Sequence, residues 1–302
     1  MADLRLVKDF NATPGVIEDV APGLRRVLAN NPGPFTHRGT GVYIVGEGEI
    51  AVVDPGPDDD AHIDALIGAL KGERVTHILI THTHRDHCGG ARKFADAVDA
   101  PLFGFGPHPA SNSAEAAPAL DEGADFDYSP DIKVADGDTF EGPGWRVEAL
   151  HTPGHLSNHL CFAYLEQKAL FTGDHVMGWS TSVVAPPDGD MGDYYESLDK
   201  LIARDDDVYY PTHGAPVPNG RALARGIKAH RIMRDGQIMA QLRDGQTQIP
   251  ELVAAMYADI DKRLHRAAAL NVYAHLIRLV RIGAVACDGE PKPKSQYTIV
   301  EQ

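Results

Sequence analysis

The stretch THTHRDH occupies residues 81–87 and directly follows the apolar run VTHILI at residues 75–80. The apolar run predicts a buried strand. His82 and His84 are two positions apart, so at the end of a strand their side chains leave on the same side. Imidazoles and carboxylates are ligands that zinc and similar divalent ions prefer. The stretch therefore predicts a metal site, and its two pairs of ligand-type residues can serve two adjacent ions.

Three later segments repeat this arrangement of a ligand-type residue beside glycine or proline after an apolar run. They are HTPGH at residues 151–155, TGDH at 172–175 and PTHG at 211–214. Loops at strand ends are where rigid scaffolds commonly carry chemistry. The chain has 15 histidines in 302 residues, and chance alone would cluster some of them. Chance does not explain a dense motif whose candidate partners recur in the same context, so we interpret the four segments as one site.

The motifs HTHRDH, TPGH, GD and THG, in that order, resemble those of metallo-β-lactamase-fold hydrolases, over roughly residues 20–220. The resemblance implies seven ligands for two divalent ions. One ion would take His82, His84 and His155, the other would take Asp86, His87 and His213, and Asp174 would bridge them. The family pattern places the ligand after Pro-Gly, so His155 is chosen over His151. His151, His159 and His175 are then neighbours of the site.

Such a site supports hydrolysis without a protein nucleophile. A divalent ion lowers the pKa of bound water towards ~7, and two ions about 3.5–4 Å apart can also polarise the electrophile and stabilise the leaving oxygen. The resemblance implies a binuclear metal-dependent hydrolase that uses a metal-bridging hydroxide. Asp86 can accept a proton or orient that hydroxide as well as bind metal. The chain has neither a Gly-x-Ser-x-Gly elbow nor a P-loop, so serine hydrolase and nucleotide-triphosphatase activities have no support.

The ligand set also narrows the subgroup and the metal. True zinc β-lactamases lack the bridging aspartate, so Asp174 points to the wider binuclear hydrolases of the fold, among them ribonucleases, thioesterases and lactonases. Flavodiiron relatives replace the second histidine of the motif with glutamate, whereas this chain keeps His84. Two zinc ions are therefore the expected cofactors, although ligand type alone leaves manganese and iron open.

Three residues near the motifs have two interpretations each. His159, four positions after His155, can be a catalytic residue that donates to an oxyanion or phosphate oxygen, or it can make a structural hydrogen bond near the metals. Trp179 can line the pocket, where its ring would stack a base or hold an acyl chain. Cys88 follows the metal motif directly. It can be a reactive thiol or a packed residue under the loop, and we expect the packed residue.

Composition bounds the class of protein. Hydrophobic residues make up 43% of the chain and charged residues 24%, which is ordinary for a globular protein. No apolar run reaches the ~18 residues that predict a membrane span. The N-terminus lacks the basic start and apolar core of a signal peptide, so we expect a cytoplasmic protein. Three cysteines are too few and too scattered for a disulfide framework.

Short strand-like runs mix with helical periods up to about residue 220. With ligands at the strand ends, this pattern fits an α/β fold, an αββα sandwich of two sheets packed face to face with helices outside. We expect this catalytic domain over residues 1–220, with residues 107–131 as a surface excursion that can overhang the site. Residues 221–302 predict three helices and a β-hairpin, which resembles a small winged-helix domain.

The substrate stays open at this stage. The first candidate is single-stranded RNA, because the resembling subgroup with a C-terminal winged helix includes single-strand-specific endoribonucleases. Residues 221–302 also hold 13 Lys and Arg against 8 Asp and Glu, whereas the whole chain has a net charge of −15. Five basic residues would guide the RNA, and they are Lys228, Arg231, Arg234, Arg278 and Arg281. In the competing interpretation, the domain closes the pocket or forms a dimer, and its charges are only solvated.

Two other functions remain in view. The alternative substrate is a thioester, a lactone or another small acyl compound, which the acidic net charge and the aromatic candidates near the site favour. A non-catalytic nucleic-acid-binding protein with a vestigial metal fold is the third interpretation, and the presence of all seven ligands argues against it. Members of the subgroup commonly dimerise, so the resemblance also implies a homodimer.

Overall fold

The computed structural model describes Leu4 and residues 6–109, 123–258 and 261–301. Two β-sheets pack face to face, and the first has seven strands in sequence order. These strands are β1 Ile17–Ala21, β2 Leu24–Leu28, β3 Gly41–Val45, β4 Glu49–Val53, β5 Arg74–Leu79, β6 Leu102–Gly104 and β7 Ile132–Lys133. From β1 to β4 each strand is antiparallel to its neighbour, and β5, β6 and β7 run parallel to β4.

The second sheet has six strands. In sheet order they are β13 Val217–Pro218, β12 Val208–Pro211, β11 Ala169–Gly173, β10 Leu160–Tyr164, β9 Trp145–His151 and β8 Thr139–Gly142. Strand β10 is antiparallel to both β9 and β11, and β12 is parallel to β11. Strands β9, β11 and β12 therefore end at the same edge of the sheet.

Apolar side chains fill the space between the sheets and cover their outer faces. Tyr43, Trp145 and Phe171 belong to the inner cluster, and each is about 1% exposed. The helices α1 (Asp60–Ala69) and α3 (Ala91–Val98) cover the outer face of the first sheet, with the short helix α2 (Arg85–Cys88) between them. The helix α4 (Met191–Ala203) covers the second sheet. This is the αββα sandwich that the sequence predicts.

The C-terminal part contains three helices and a two-stranded sheet. They are α5 Gly220–Arg243, α6 Ile249–Met256, α7 His265–Arg281, β14 Val285–Cys287 and β15 Tyr297–Ile299. Its core includes Ile238 and Leu242 of α5, whereas Ala224 and Ile227 of the same helix pack into the cluster around α4. The order of elements is that of the predicted winged helix. Because α5 joins both cores, the division at residue 220 stays a prediction.

The sequence pattern did not reveal β1, β7, β8 and β13. These four strands are the edge strands of the two large sheets. Edge strands are short and partly exposed here, so no clear apolar alternation marks them. Of the predicted excursion at residues 107–131, residues 110–122 lie outside the described part of the chain. None of the helices in the described ranges is long and apolar enough to cross a membrane.

Candidate metal centre

The seven predicted ligands come together at one edge of the sandwich, on segments that follow four strands. Strand β5 is followed by His82, His84, Asp86 and His87, strand β9 by His155, strand β11 by Asp174 and strand β12 by His213. The two sheets thus bring together ligands that are more than 120 positions apart in the chain. Six of them are buried and His84 is half-buried.

Three imidazoles form a first cluster. The Nε2 atom of His82 lies 2.9 Å from Nδ1 of His84, and Nε2 of His155 lies 3.1 Å from the same Nδ1. A neutral imidazole has a single N–H group, so three converging ring nitrogens cannot all be satisfied by one another. Their convergence fits a shared cation.

The second cluster contains one carboxylate and two imidazoles. The Oδ2 atom of Asp86 lies 3.1 Å from Nε2 of His213 and 3.5 Å from Nε2 of His87. Asp174 lies between the clusters, because its Oδ1 is 3.5 Å from both of these Nε2 atoms and its Oδ2 is 3.9 Å from Nε2 of His155. Nε2 of His87 and Oδ1 of Asp174 are buried and have no hydrogen-bond partner within the described ranges. The two oxygens of Asp174 thus face different clusters, and its bridging role stays a prediction.

Four of the five histidines have Nδ1 in contact with a neighbouring oxygen, which turns Nε2 towards the clusters. The contacts are His82 with Thr81 Oγ1 at 3.0 Å, His87 with Asp54 Oδ2 at 2.8 Å, His155 with Val183 O at 2.6 Å and His213 with Gly39 O at 3.1 Å. A carbonyl or carboxylate oxygen only accepts, so a neutral ring in such a contact has its proton on Nδ1 and a bare Nε2. Outer partners of this kind orient metal-binding histidines. The residues present therefore fit divalent ions.

The two clusters differ in their electrostatics. Burial and the neighbouring histidines lower the pKa of His84 to about 3, which keeps its ring neutral. Burial also opposes charge on His87 and His213, but the carboxylates of Asp86 and Asp174 outweigh it and raise the pKa of both rings. Burial thus disfavours charge on His82 and His84 of the first cluster, whereas the carboxylates of the second cluster favour positive charge at their centre. Both are environments that favour a divalent cation.

Comparison with known families decides the classification. The model of the metallo-beta-lactamase superfamily matches residues 37–213, which include every residue of both clusters. The chain belongs to the metallo-β-lactamase superfamily. A second model, the beta-lactamase associated winged helix domain, matches residues 249–292. The protein is therefore a metal-dependent hydrolase of this superfamily with a C-terminal winged-helix domain, as the sequence resemblance implied.

Individual relatives extend over most of the chain. A lactamase-like protein of Aspergillus niger is 30% identical over 300 residues, which cover 94% of this chain and 88% of the relative. The atrochrysone carboxyl ACP thioesterase of Paecilomyces divaricatus is 33% identical over 253 residues, which cover 81% and 73% respectively. The crystal structure of a metallo-β-lactamase family protein from Thermus thermophilus superposes with a TM-score of 0.74 and 26% identity, and covers 93% of this chain and all of that one.

Asp54 is the main residue of the metal centre that was not predicted from the sequence. Its carboxylate accepts the Thr81 N–H and hydroxyl, both at 2.7 Å, and contacts His87 Nδ1 at 2.8 Å and the Thr212 hydroxyl at 3.1 Å. It is fully buried and has a left-handed backbone, with φ of +50°. The available signal was an aspartate directly after the apolar strand β4 and before Pro55-Gly56.

His159 lies beside the hydrolase site with both ring nitrogens engaged. Its Nε2 accepts the backbone N–H of Asp174 at 3.2 Å, and its Nδ1 lies 2.9 Å from the Thr152 hydroxyl. The ring is completely buried, and burial lowers its pKa well below the usual value. No nitrogen is left to donate to a substrate, so the geometry favours the structural interpretation over the catalytic one. In that role His159 fixes the backbone of the bridging aspartate.

The other neighbours of the hydrolase site take varied positions. His151 contacts the carbonyl of Ser157 through Nε2, and the buried ring of His175 has no hydrogen-bond partner on either nitrogen among the described residues. Trp179 stacks on His37 with ring centroids 4.7 Å apart. Cys88 is 2% exposed, and burial raises the pKa of its thiol, which agrees with a packed residue and not a reactive one.

Proposed function

We propose that this hydrolase cleaves acyl thioesters with two zinc ions as cofactors. Five imidazoles and two carboxylates form a donor set that zinc prefers over harder cations such as magnesium and calcium. The ions would be held by the seven predicted residues, with Asp174 between them. These ligands are His82, His84, Asp86, His87, His155, Asp174 and His213.

The thioester class rests first on a named relative. The protein from Paecilomyces divaricatus, which is an atrochrysone carboxyl ACP thioesterase by name, aligns with 81% of this chain. A second protein with that name, from Aspergillus chevalieri, is 31% identical and aligns with 83% of the chain. Thioester hydrolysis was the alternative to RNA cleavage at the level of sequence, and these relatives move it to first place.

The charges of the C-terminal domain support the same choice. RNA binding requires cations that are free to contact phosphates. Each of the five basic side chains proposed to guide RNA has partners within the protein instead. The partners are Asp199 for Lys228, Ser182 and Asn271 for Arg231, Gln237 and the Tyr257 ring for Arg234, Asp235 for Arg278, and Asp190 for Arg281.

Two aromatic side chains near the ligand motifs provide surfaces for an acyl group. Phe126 is 58% exposed, and its segment pairs with the metal motif through the Asp125 N–H and the Thr83 carbonyl at 2.7 Å. The second is Trp179, whose ring lies 3.0 Å from where a Cβ on Gly214 would be, directly after the predicted ligand His213. An exposed phenylalanine beside a polar site is better suited to an apolar substrate than to a polyanion.

The residues of the site can be assigned to the steps of hydrolysis. The reaction adds water across the acyl C–S bond, so the oxygen joins the acyl carbon and the thiol leaves with a proton. Two bound divalent ions supply a water of lowered pKa and an electrophile for the carbonyl oxygen. Asp86 is 5% exposed and its carboxylate lies among the ring nitrogens of the second cluster, where it would accept the proton of the attacking water and return it to the departing sulfur.

Thiol release from the octanoyl thioester of N-acetylcysteamine tests the proposal. Zinc-loaded protein should release thiol, and Asp174→Ala should lower kcat/KM by at least about 100-fold, more than loss of an outer partner usually costs. Asp96→Ala serves as the matched control, because Asp96 is an exposed carboxylate on α3. Protein that carries two metal ions by elemental analysis but releases no thiol would rule out this substrate class.

Two earlier hypotheses stay as predictions that parallel assays check. Cleavage of a labelled single-stranded RNA, with a steep loss of rate as salt increases, would restore the ribonuclease hypothesis. Sedimentation velocity checks the homodimer.

A further inference from the structure

The loop at residues 182–184 contacts two of the predicted metal ligands, His155 and Asp174. The carbonyl of Val183 lies 2.6 Å from Nδ1 of His155. The hydroxyl of Ser182 contacts the backbone carbonyls of Asp174 and His175, the latter at 3.0 Å. The direction of the His155 ring and the backbone of the bridging aspartate therefore depend on where this loop lies.

The same loop is held from its other side by two helices of the C-terminal part. Arg231 of α5 donates to the carbonyl of Ser182 and, at 3.2 Å, to Oδ1 of Asn271 on α7. The same Oδ1 accepts the N–H of Val184 at 3.1 Å. The backbone groups on both sides of Val183 are thus fixed by the helices, and the carbonyl between them is the one that faces His155.

The energetic cost of this contact indicates a role beyond packing. Arg231 is 3% exposed, and no carboxylate of the described residues forms an ion pair with it. Its Nε has no hydrogen-bond partner in the part of the chain that the structure describes, and the ring of Tyr194 lies 5.4 Å from its Cζ. A buried guanidinium without an acidic partner is unfavourable, and an apolar residue would fill the same space at lower cost. Violations of this kind are expected at functional sites.

We propose that Arg231 and Asn271 are positioning residues, which fix the His155 ring through Val183 so that the C-terminal domain completes the first metal cluster. This proposal rests on the two-ion site of the proposed function, but it does not depend on the substrate. It also gives Arg231 a role inside the protein, in place of the guiding role that its charge suggested.

Zinc affinity measured by competition with a chromophoric chelator separates positioning from packing. Arg231→Met keeps an unbranched side chain, shorter than that of arginine, and removes its donors. We expect the variant to bind one of the two zinc ions about 10–100-fold more weakly, because that site has lost an outer partner of a ligand. The affinity for the other zinc ion should stay close to its original value. The matched control is Arg225→Met, which removes an exposed arginine from the same helix.

Variants at Asn271 give an independent test if Arg231→Met does not fold. Asn271→Leu removes the acceptor for Val184 and should reproduce the selective loss, whereas Asn271→Asp keeps that acceptor and should restore most of the affinity. Unchanged affinity for both ions, or an equal loss of both with a lowered melting temperature, would overturn the proposal. Parent protein that binds fewer than two ions would instead refute the proposed function before any variant is compared.

Discussion

The two halves of the metal site have different supports. His87 and His213 of the second cluster are oriented by Asp54 and by the Gly39 carbonyl, which belong to the sandwich itself. His155 of the first cluster is oriented by the irregular loop at residues 182–184, which in turn is held by α5 and α7. One half is intrinsic to the catalytic fold, and the other depends on the C-terminal domain. A binuclear site can therefore lose one ion through changes far from its ligands.

Removal of Asp54 should have the largest effect, because it acts on the intrinsic half. Asp54→Ala leaves the buried N–H and hydroxyl of Thr81 unpaired and frees the His87 ring. Each unpaired buried group costs about 1–3 kcal/mol, and metal affinity should fall by about 10–100-fold. Urea unfolding and a zinc titration measure the two effects.

The control for this variant is Asp59→Ala. Asp59 accepts the His62 N–H at the start of α1, where the loss of an N-cap costs about 1 kcal/mol without a metal ligand nearby. Equal zinc affinity in Asp54→Ala and Asp59→Ala would contradict the assignment of Asp54 as the main anchor of the site.

A change at Gly154 should act mainly on the other half. Its φ is +134°, and a Cβ there would lie 2.4 Å from Cα of Tyr194, so Gly154→Ala must displace the peptide that precedes His155. We expect a destabilisation of about 1–3 kcal/mol from overpacking, with a selective loss of affinity for one ion. Calorimetric zinc titration with two resolved steps measures it.

Gly144→Ala separates the clash from the backbone strain. Gly144 also has a left-handed backbone, with φ of +78°, but a Cβ there would meet nothing within 4 Å. If Gly154→Ala and Gly144→Ala bind zinc with equal affinity, crowding against Tyr194 has no influence on His155. That result would weaken the distinction between the two halves of the metal site.

The ion pair between Arg281 and Asp190 should give the smallest effect. It joins the last turn of α7 to the N-cap of α4, and the backbone N–H of Asp190 donates to the Gly154 carbonyl at 3.0 Å. Arg281 is half-exposed, so Arg281→Met should cost under ~1 kcal/mol and this cost should shrink at high salt.

A thermal unfolding series at two salt concentrations checks this expectation. Arg92→Met, which removes a comparable exposed pair with Asp131, should be equally destabilising but without any effect on zinc binding. A large, salt-independent loss in Arg281→Met would mean that the pair is a stronger link between the domain and the site than surface pairs usually are.

The sequence predicted those features that depend on local order. Buried strands such as β5 and β9 carry apolar runs, and each ligand motif follows directly after its strand, so the sandwich and a common metal site could be inferred. The assignment of the seven ligands came from the family resemblance. The edge strands carry weaker patterns and were missed. Asp54 was missed for another reason, because its partners Thr81, His87 and Thr212 come from other strands and only the folded chain brings them to its carboxylate.

Arg231 shows where charge alone misleads. On a helix with no continuous apolar stripe, a basic residue is expected to be solvated, and its sequence neighbours do not distinguish it from Arg225. The burial of Arg231 follows from the packing of α5 and α7 against the loop at residues 182–184, which lies almost 50 positions away. Sequence periodicity contains no information about that encounter.

The helix α5 has a consequence for how the protein unfolds. Its 24 residues span roughly 36 Å, and its two ends are buried in different cores. Gly220 at its start fits against the Tyr209 ring so closely that a Cβ would lie 2.1 Å from it. If either core unfolds, half of α5 loses its packing. The other core then lacks part of the helix on which it depends. Heat or denaturant should therefore unfold the sandwich and the winged helix in one cooperative transition, and a protease should find no stable intermediate-sized fragment between them.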